Sequence, residues 1–188
     1  MKVVLIVLLV LFLVVAMFGM KLMSTRNDLV TQRESINGAW AQVDVVLQRR
    51  ADLIPNLVET VKGFSKQEQG IIDSVTKARS SLLGARSPQE KIQANGQLDG
   101  ALGRLLVMVE NYPNIKSNEQ YINLQRELAG TENRIAVERR KYNEAVQRYN
   151  TSIELFPNNI AASLFNFARN DAYFKTDAAA RNAPAVKF

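Results

Sequence analysis

Neither histidine nor cysteine occurs in this chain of 188 residues. Their absence excludes a histidine phosphoacceptor, Ser-His-Asp and Cys-His nucleophilic systems, zinc sites built from those ligands, and thiol redox chemistry. It leaves the redox compartment open, because a chain without cysteine suits either side of a membrane. Glycine (9) and proline (5) are sparse, aromatics reach only 7%, and no strand-and-turn pattern recurs. Glycine-rich phosphate loops are missing. A formal charge of +6 is spread over intermixed residues of both signs, with no run of four basic residues. That reads as an ordinary solvated helical surface, and no nucleic-acid partner is expected. An enzyme is the poorest functional class for such a chain, and no cofactor is expected.

What the chain does have begins at its start. Val3 to Met20 is an unbroken apolar run, bounded by Lys2 and Lys21. Eighteen residues at about 1.5 Å each cover roughly 27 Å, close to a hydrocarbon core of about 30 Å. A cleaved signal peptide has a shorter apolar core and a small-x-small site, which Val15 to Gly19 does not offer. A core helix would show a polar face, and this run has none. The expectation is a retained single-pass anchor over 1–23, touching lipid through residues 3–20, ahead of a domain at 24–174 and a flexible tail at 175–188. Lys21, Arg26 and Arg33 follow the anchor and only Lys2 precedes it, which leans slightly towards a cytoplasmic domain.

Beyond the anchor, two heptad series run side by side. Ile36, Val43, Arg50, Leu57, Phe64, Ile71 and Ala78 form one; Trp40, Leu47, Ile54, Val61, Glu68, Val75 and Leu82 form the other. Only Arg50 and Glu68 break the apolar stripe. Pro55 sits in its middle and either kinks one helix or starts a second after an Asp52 cap. The heptad phase is unchanged across it, so the spacing predicts one long helix over 27–84, possible continuity with the anchor included. Ser87, Pro88 and Glu90 then spell a capping box that restarts the chain after Gly84. A helix from Pro88 to about Asn111 follows, buried through Leu98, Leu102, Leu105, Val109 and Tyr112. Its Gly96, Gly100 and Gly103 share one side, where they allow close helix approach. Another turn at Asn111–Asn114 leads to a helix from about Ser117 to Phe156, with Tyr121, Leu128, Ile135, Tyr142, Tyr149 and Phe156 seven apart. The hydroxyls of Tyr121, Tyr142 and Tyr149 are expected to find partners at the bundle margin. A short helix over 160–174 closes the domain.

The fold class is therefore all-α: an N-terminal transmembrane helix followed by an antiparallel three- or four-helix bundle with long, coiled-coil-like helices. Several stretches also carry a family likeness. Trp40, Val43-Asp44 and the string from Gln48 to Phe64, with Arg49-Arg50-Ala51-Asp52-Leu53-Ile54-Pro55-Asn56-Leu57 at its centre, resemble the signature of the LemA family. Thr76-Lys77-Ala78-Arg79, Glu110-Asn111-Tyr112-Pro113-Asn114, Leu124 to Leu128, Thr131 to Ala136, Tyr142-Asn143, Tyr149-Asn150 and Phe156-Pro157 match as well. The resemblance implies a bacterial protein with an N-terminal anchor helix and an antiparallel helical bundle, and it supplies no reaction.

A charge on a packing seam is costly unless paired. Glu127, Glu132 and Glu138 are antiparallel partners for Arg50, and the competing expectation is that Arg50 snorkels to water. With Pro55 and Glu68, these are the structural and interaction candidates; catalytic, cofactor-binding and metal residues are none. Asp44, Asp52 and Glu59 add carboxylates, but the di-iron pattern of helical bundles needs a Glu-x-x-His that this chain lacks. The leading functional expectation is an interaction or scaffold module at the bacterial inner membrane, with a protein partner or a second copy of itself. The alternative is a tethered sensor that transmits a shift along the first helix.

Overall fold

A computed structural model describes residues 2–63 and 68–175. Every regular element among the described residues is helical. α1 spans Lys2–Lys62, α2 Gln69–Gly84, α3 Pro88–Val109, α4 Pro113–Lys116, α5 Glu119–Glu154 and α6 Asn158–Leu164. The chain divides into two compact units: Met1–Ala39 with Tyr142–Asp171, and Trp40–Lys141 with Ala172–Phe188.

The apolar run and the heptad stripe belong to one element. α1 is helical through 23–27, and it also runs through Pro55. It stops at Lys62, however, where the Gly63 N–H makes the last helical bond, 3.2 Å to the Glu59 carbonyl. The helix expected to continue to 84 is thus two helices, and Phe64 of the first heptad series lies outside the described residues. Gly63 and Gly70 bracket the connection, and both weaken helix propagation. Arg79 on α2 reaches Ala51 on α1, positions symmetric about residue 65, so α2 folds back along α1. Each arm of such a hairpin shows its partner a heptad stripe. The start of α2 falls seven positions after the end of α1, and a step of seven preserves phase by arithmetic alone.

In the second unit, Val43, Leu47, Ile54, Leu57 and Val61 of α1 are buried with Ile72 and Val75 of α2, Leu98 and Leu105 of α3, and Ile135 of α5. The restart at Ser87 has the capping box that the spacing predicts. The Glu90 N–H donates to Ser87 Oγ at 3.2 Å, and the Glu90 carboxylate accepts from the Arg86 and Ser87 N–H groups at 2.8 and 3.4 Å. Those backbone bonds, the Arg86 one foremost, hold the Glu90 carboxyl below its ordinary 4.5. A depressed acid stabilises the fold above its unfolded-state pKa and loses that contribution as pH falls through the folded one. The amides of Ser87–Lys91 are therefore expected to lose their capped chemical shifts on acidification below the ordinary glutamate range, with Glu90→Gln removing the transition. A pH-independent wild-type spectrum there would contradict this.

The first unit buries Leu29 and Ile36 of α1, Tyr142, Val146, Tyr149 and Ile153 of α5, and Ala161 and Ala162 of α6. The Tyr149 hydroxyl donates to the Ala168 carbonyl at 2.9 Å. Burial pushes this phenol above 10, partly offset by Arg33. Two expectations fail here. Phe156, the last of the seven-residue tyrosine and leucine series, is 80% exposed because α5 ends at Glu154. The last helix ends at Leu164 rather than running to 174, because Asn166 adopts φ 55. That left-handed residue lets the Phe167 N–H close on the Ala162 carbonyl at 2.9 Å, a helix stop that asparagine tolerates. The proposed tail from 175 lies, beyond Lys175, outside the described residues.

Candidate functional site

Three helices of the second unit converge on Arg50. The heptad places it on the inward stripe of α1, and its side chain is only 8% exposed. Nη1 lies 2.5 Å from Asp99 Oδ1 on α3 and 2.8 Å from Glu132 Oε2 on α5. Asn95, one turn before Asp99 and 1% exposed, donates from Nδ2 to Asp99 Oδ2 at 2.9 Å. Arg139 Nη2 stands 3.5 Å from that same oxygen. Its guanidinium also lies 5.0 Å over the Phe174 ring, which stacks on Trp40 at 6.1 Å. Two arginines face two carboxylates, so the cluster is neutral as a whole. An ion pair between Asp44 and Lys91 adds a second charged link from α1 to α3.

Of the three glutamates expected near Arg50, Glu132 meets it. Glu138 pairs instead with Lys141, 2.8 Å away one turn on, and Glu127 is exposed. Glu68 directly precedes α2, and its carboxylate accepts from the Tyr112 hydroxyl at 3.2 Å. Sequence reasoning missed Asp99, Asn95 and Arg139. One signal was present: Asn95 extends the Leu98, Leu102, Leu105 and Val109 stripe by one step, which places an amide in a buried position.

Pro55 is exposed, and its partner is equally unexpected. A proline has no N–H to give the carbonyl four residues back. Here that carbonyl belongs to Ala51, and Arg79 Nε donates to it at 2.7 Å. α2 thus supplies the donor that α1 lacks. The glycines of α3 do not serve a close helix approach: a methyl group added at Gly96 or Gly103 would meet nothing within 4 Å. Gly100 and Gly103 instead line an open groove of about 600 Å³ with Ile71, Arg104 and Val107.

None of these arrangements presents a nucleophile beside a base. Among the described residues, no group of three acidic side chains is placed to hold a metal ion. The carboxylates that converge are already held by arginine. Chemically the cluster can lock α1, α3 and α5 in register.

These features define a class: a chain whose described residues form helices bolted by buried charge, with one helix among them long and apolar enough to cross a membrane. The chain belongs to the LemA family, whose model matches residues 39–188. It is similar to Magnetosome protein MamQ 2 of Paramagnetospirillum magneticum, 29% identical over 86% of this chain and 68% of the relative. It is also similar to Magnetosome protein MamQ of Magnetospirillum gryphiswaldense, at 26% over 81% and 65% respectively. A third relative, Protein LemA of Metamycoplasma hominis, is 24% identical over 83% of this chain and 73% of its own length.

Proposed function

We propose that this protein is a non-catalytic interaction module fixed to the bacterial inner membrane by the first part of α1. The observation that carries the reading is the contrast along α1. Val3 to Met20 stand in an unbroken, apolar stretch of helix with none of it buried, whereas Thr25, Leu29 and Ile36 are covered. A soluble core helix would hide such a stretch; only an apolar solvent stabilises it exposed. Among the described residues no reactive group is assembled, which supports a binding role, either to a protein partner or to a second copy. The sensor alternative rests on the same unbroken helix, which joins the span to the Arg50 stripe without a loop.

Membrane insertion is tested in the full chain by Leu8→Arg with Leu11→Arg. Each arginine near the centre of a span costs about 2.5–3.5 kcal/mol on insertion scales. The wild type is expected to stay in the membrane pellet after alkaline carbonate extraction, and the double variant to move to the supernatant. A wild-type chain released by carbonate would overturn the anchor. The mass of the detergent-extracted protein then distinguishes a defined assembly, which the scaffold reading expects, from a monomer.

A further inference from the structure

The turn after α5 and α6 itself carry four exposed apolar side chains. Leu155 is 56% exposed, Phe156 80%, Ile160 40% and Leu164 62%. Ile160 and Leu164 are four residues apart and share one face of their helix. Single exposed apolar residues are commonplace, but four within ten residues mark a contact surface.

Their level along α1 indicates what they touch. Gln32 Nε2 donates to Ser152 Oγ at 3.2 Å, and the Arg26 guanidinium lies 5.6 Å over Phe165, the residue directly after α6. The turn and α6 therefore lie between the levels of Gln32 and Arg26. Met20 ends the apolar run six residues before Arg26, about 9 Å along the axis. The headgroup layer on each side of a bilayer is about 5–8 Å deep, and spanning helices tilt by about 20° on average. Thr25, 4% exposed, is the first buried position after the run, so the packed body starts within two turns of the hydrocarbon edge. Lys21 and Arg26 are exposed at that same level and suit headgroup phosphates.

We propose that Leu155, Phe156, Ile160 and Leu164 form a second, interfacial membrane contact, turned towards the bilayer that α1 spans and reaching its headgroup layer as the span tilts. This rests on α1 being the anchor. The contact adds a second attachment point to the span and limits how the first unit can swing about it, as interfacial apolar residues do.

The chain has no cysteine, so single cysteines can be placed and labelled with an environment-sensitive fluorophore in the full-length protein. Phe156→Cys, Leu164→Cys, Leu11→Cys and Ser35→Cys are reconstituted in phosphatidylcholine–phosphatidylglycerol vesicles containing a lipid with a nitroxide near the top of its acyl chain. Labels at 156 and 164 are expected to be quenched several-fold more than the label at 35, an exposed position of α1 about 22 Å beyond Met20. A label at 156 that behaves as in water while the label at 11 sits in lipid overturns the interfacial contact and leaves the anchor standing. A label at 156 shielded from water yet unquenched by lipid assigns the patch to a second copy of the chain and also overturns it. A label at 11 in water removes the anchor, and the contact with it.

Discussion

Replacing Arg50 with alanine is expected to lower the unfolding free energy by about 2–3 kcal/mol. Truncating one member of a fully buried ion pair costs about 3–5 kcal/mol, because the other charge is stranded. Here the stranded groups are less deeply placed: the Asp99 and Glu132 side chains are 35% and 45% exposed, so water screens part of their repulsion. The discounted figure corresponds to a fall in Tm of roughly 4–12 °C for a chain of this length. Two carboxylates would be left facing each other with only Arg139 and Asn95 nearby, so the loss should shrink when Asp99→Asn is combined with Arg50→Ala. Thermal melts of the four proteins, followed by helical circular dichroism, give the coupling. Strict additivity would mean that Arg50 stabilises only by packing its stem, as a snorkelling arginine does.

Arg79→Met is expected to cost about 1.5–3 kcal/mol, the value of a hydrogen bond involving a charged group. Methionine keeps the unbranched apolar stem as far as the Nε position, so most of the loss reports the bond to the Ala51 carbonyl. The decisive background is Pro55→Ala. An alanine there restores an N–H able to reach the Ala51 carbonyl within the helix, so Arg79→Met should become nearly silent. A cycle with less than about 0.5 kcal/mol of coupling, within the range of independent sites, would remove the compensating role. An equal loss in both backgrounds would assign Arg79 to packing.

What was legible in the sequence was local. The apolar run, the Ser87–Glu90 capping box and the two heptad seams each depend on neighbours within a turn or two, and local spacing alone specifies them. The end of α1 at Lys62 was not legible from periodicity, because a hairpin and a single rod show the same stripe. Gly63 was the better signal, since helix propensity senses backbone continuity and heptad phase does not. Arg50 announced that it needed a counter-charge, and Glu132 was among the candidates on the opposing helix. Asp99 stayed hidden because its contact depends on how α3 is rotated in the unit, a property of packing. Arg79 was hidden for another reason: a bond from a side chain to a backbone carbonyl leaves no charge pattern in the partner's sequence. Asn166 could have signalled the end of α6, since asparagine is among the few side chains that accept the left-handed region.

The absence of any break between the apolar run and Leu29 has an angular consequence. Successive residues of a helix are turned by about 100° and advanced by about 1.5 Å. Deleting a single residue between Met20 and Thr25 would leave every side chain after it in place in its own unit. It would nonetheless rotate Val3–Met20 through that angle relative to the face that carries Leu29. The span thus has an azimuth set by the body it adjoins: which of its apolar side chains looks in which direction across the membrane plane is specified by the first covered turn, and a spacer of any other length would reset it.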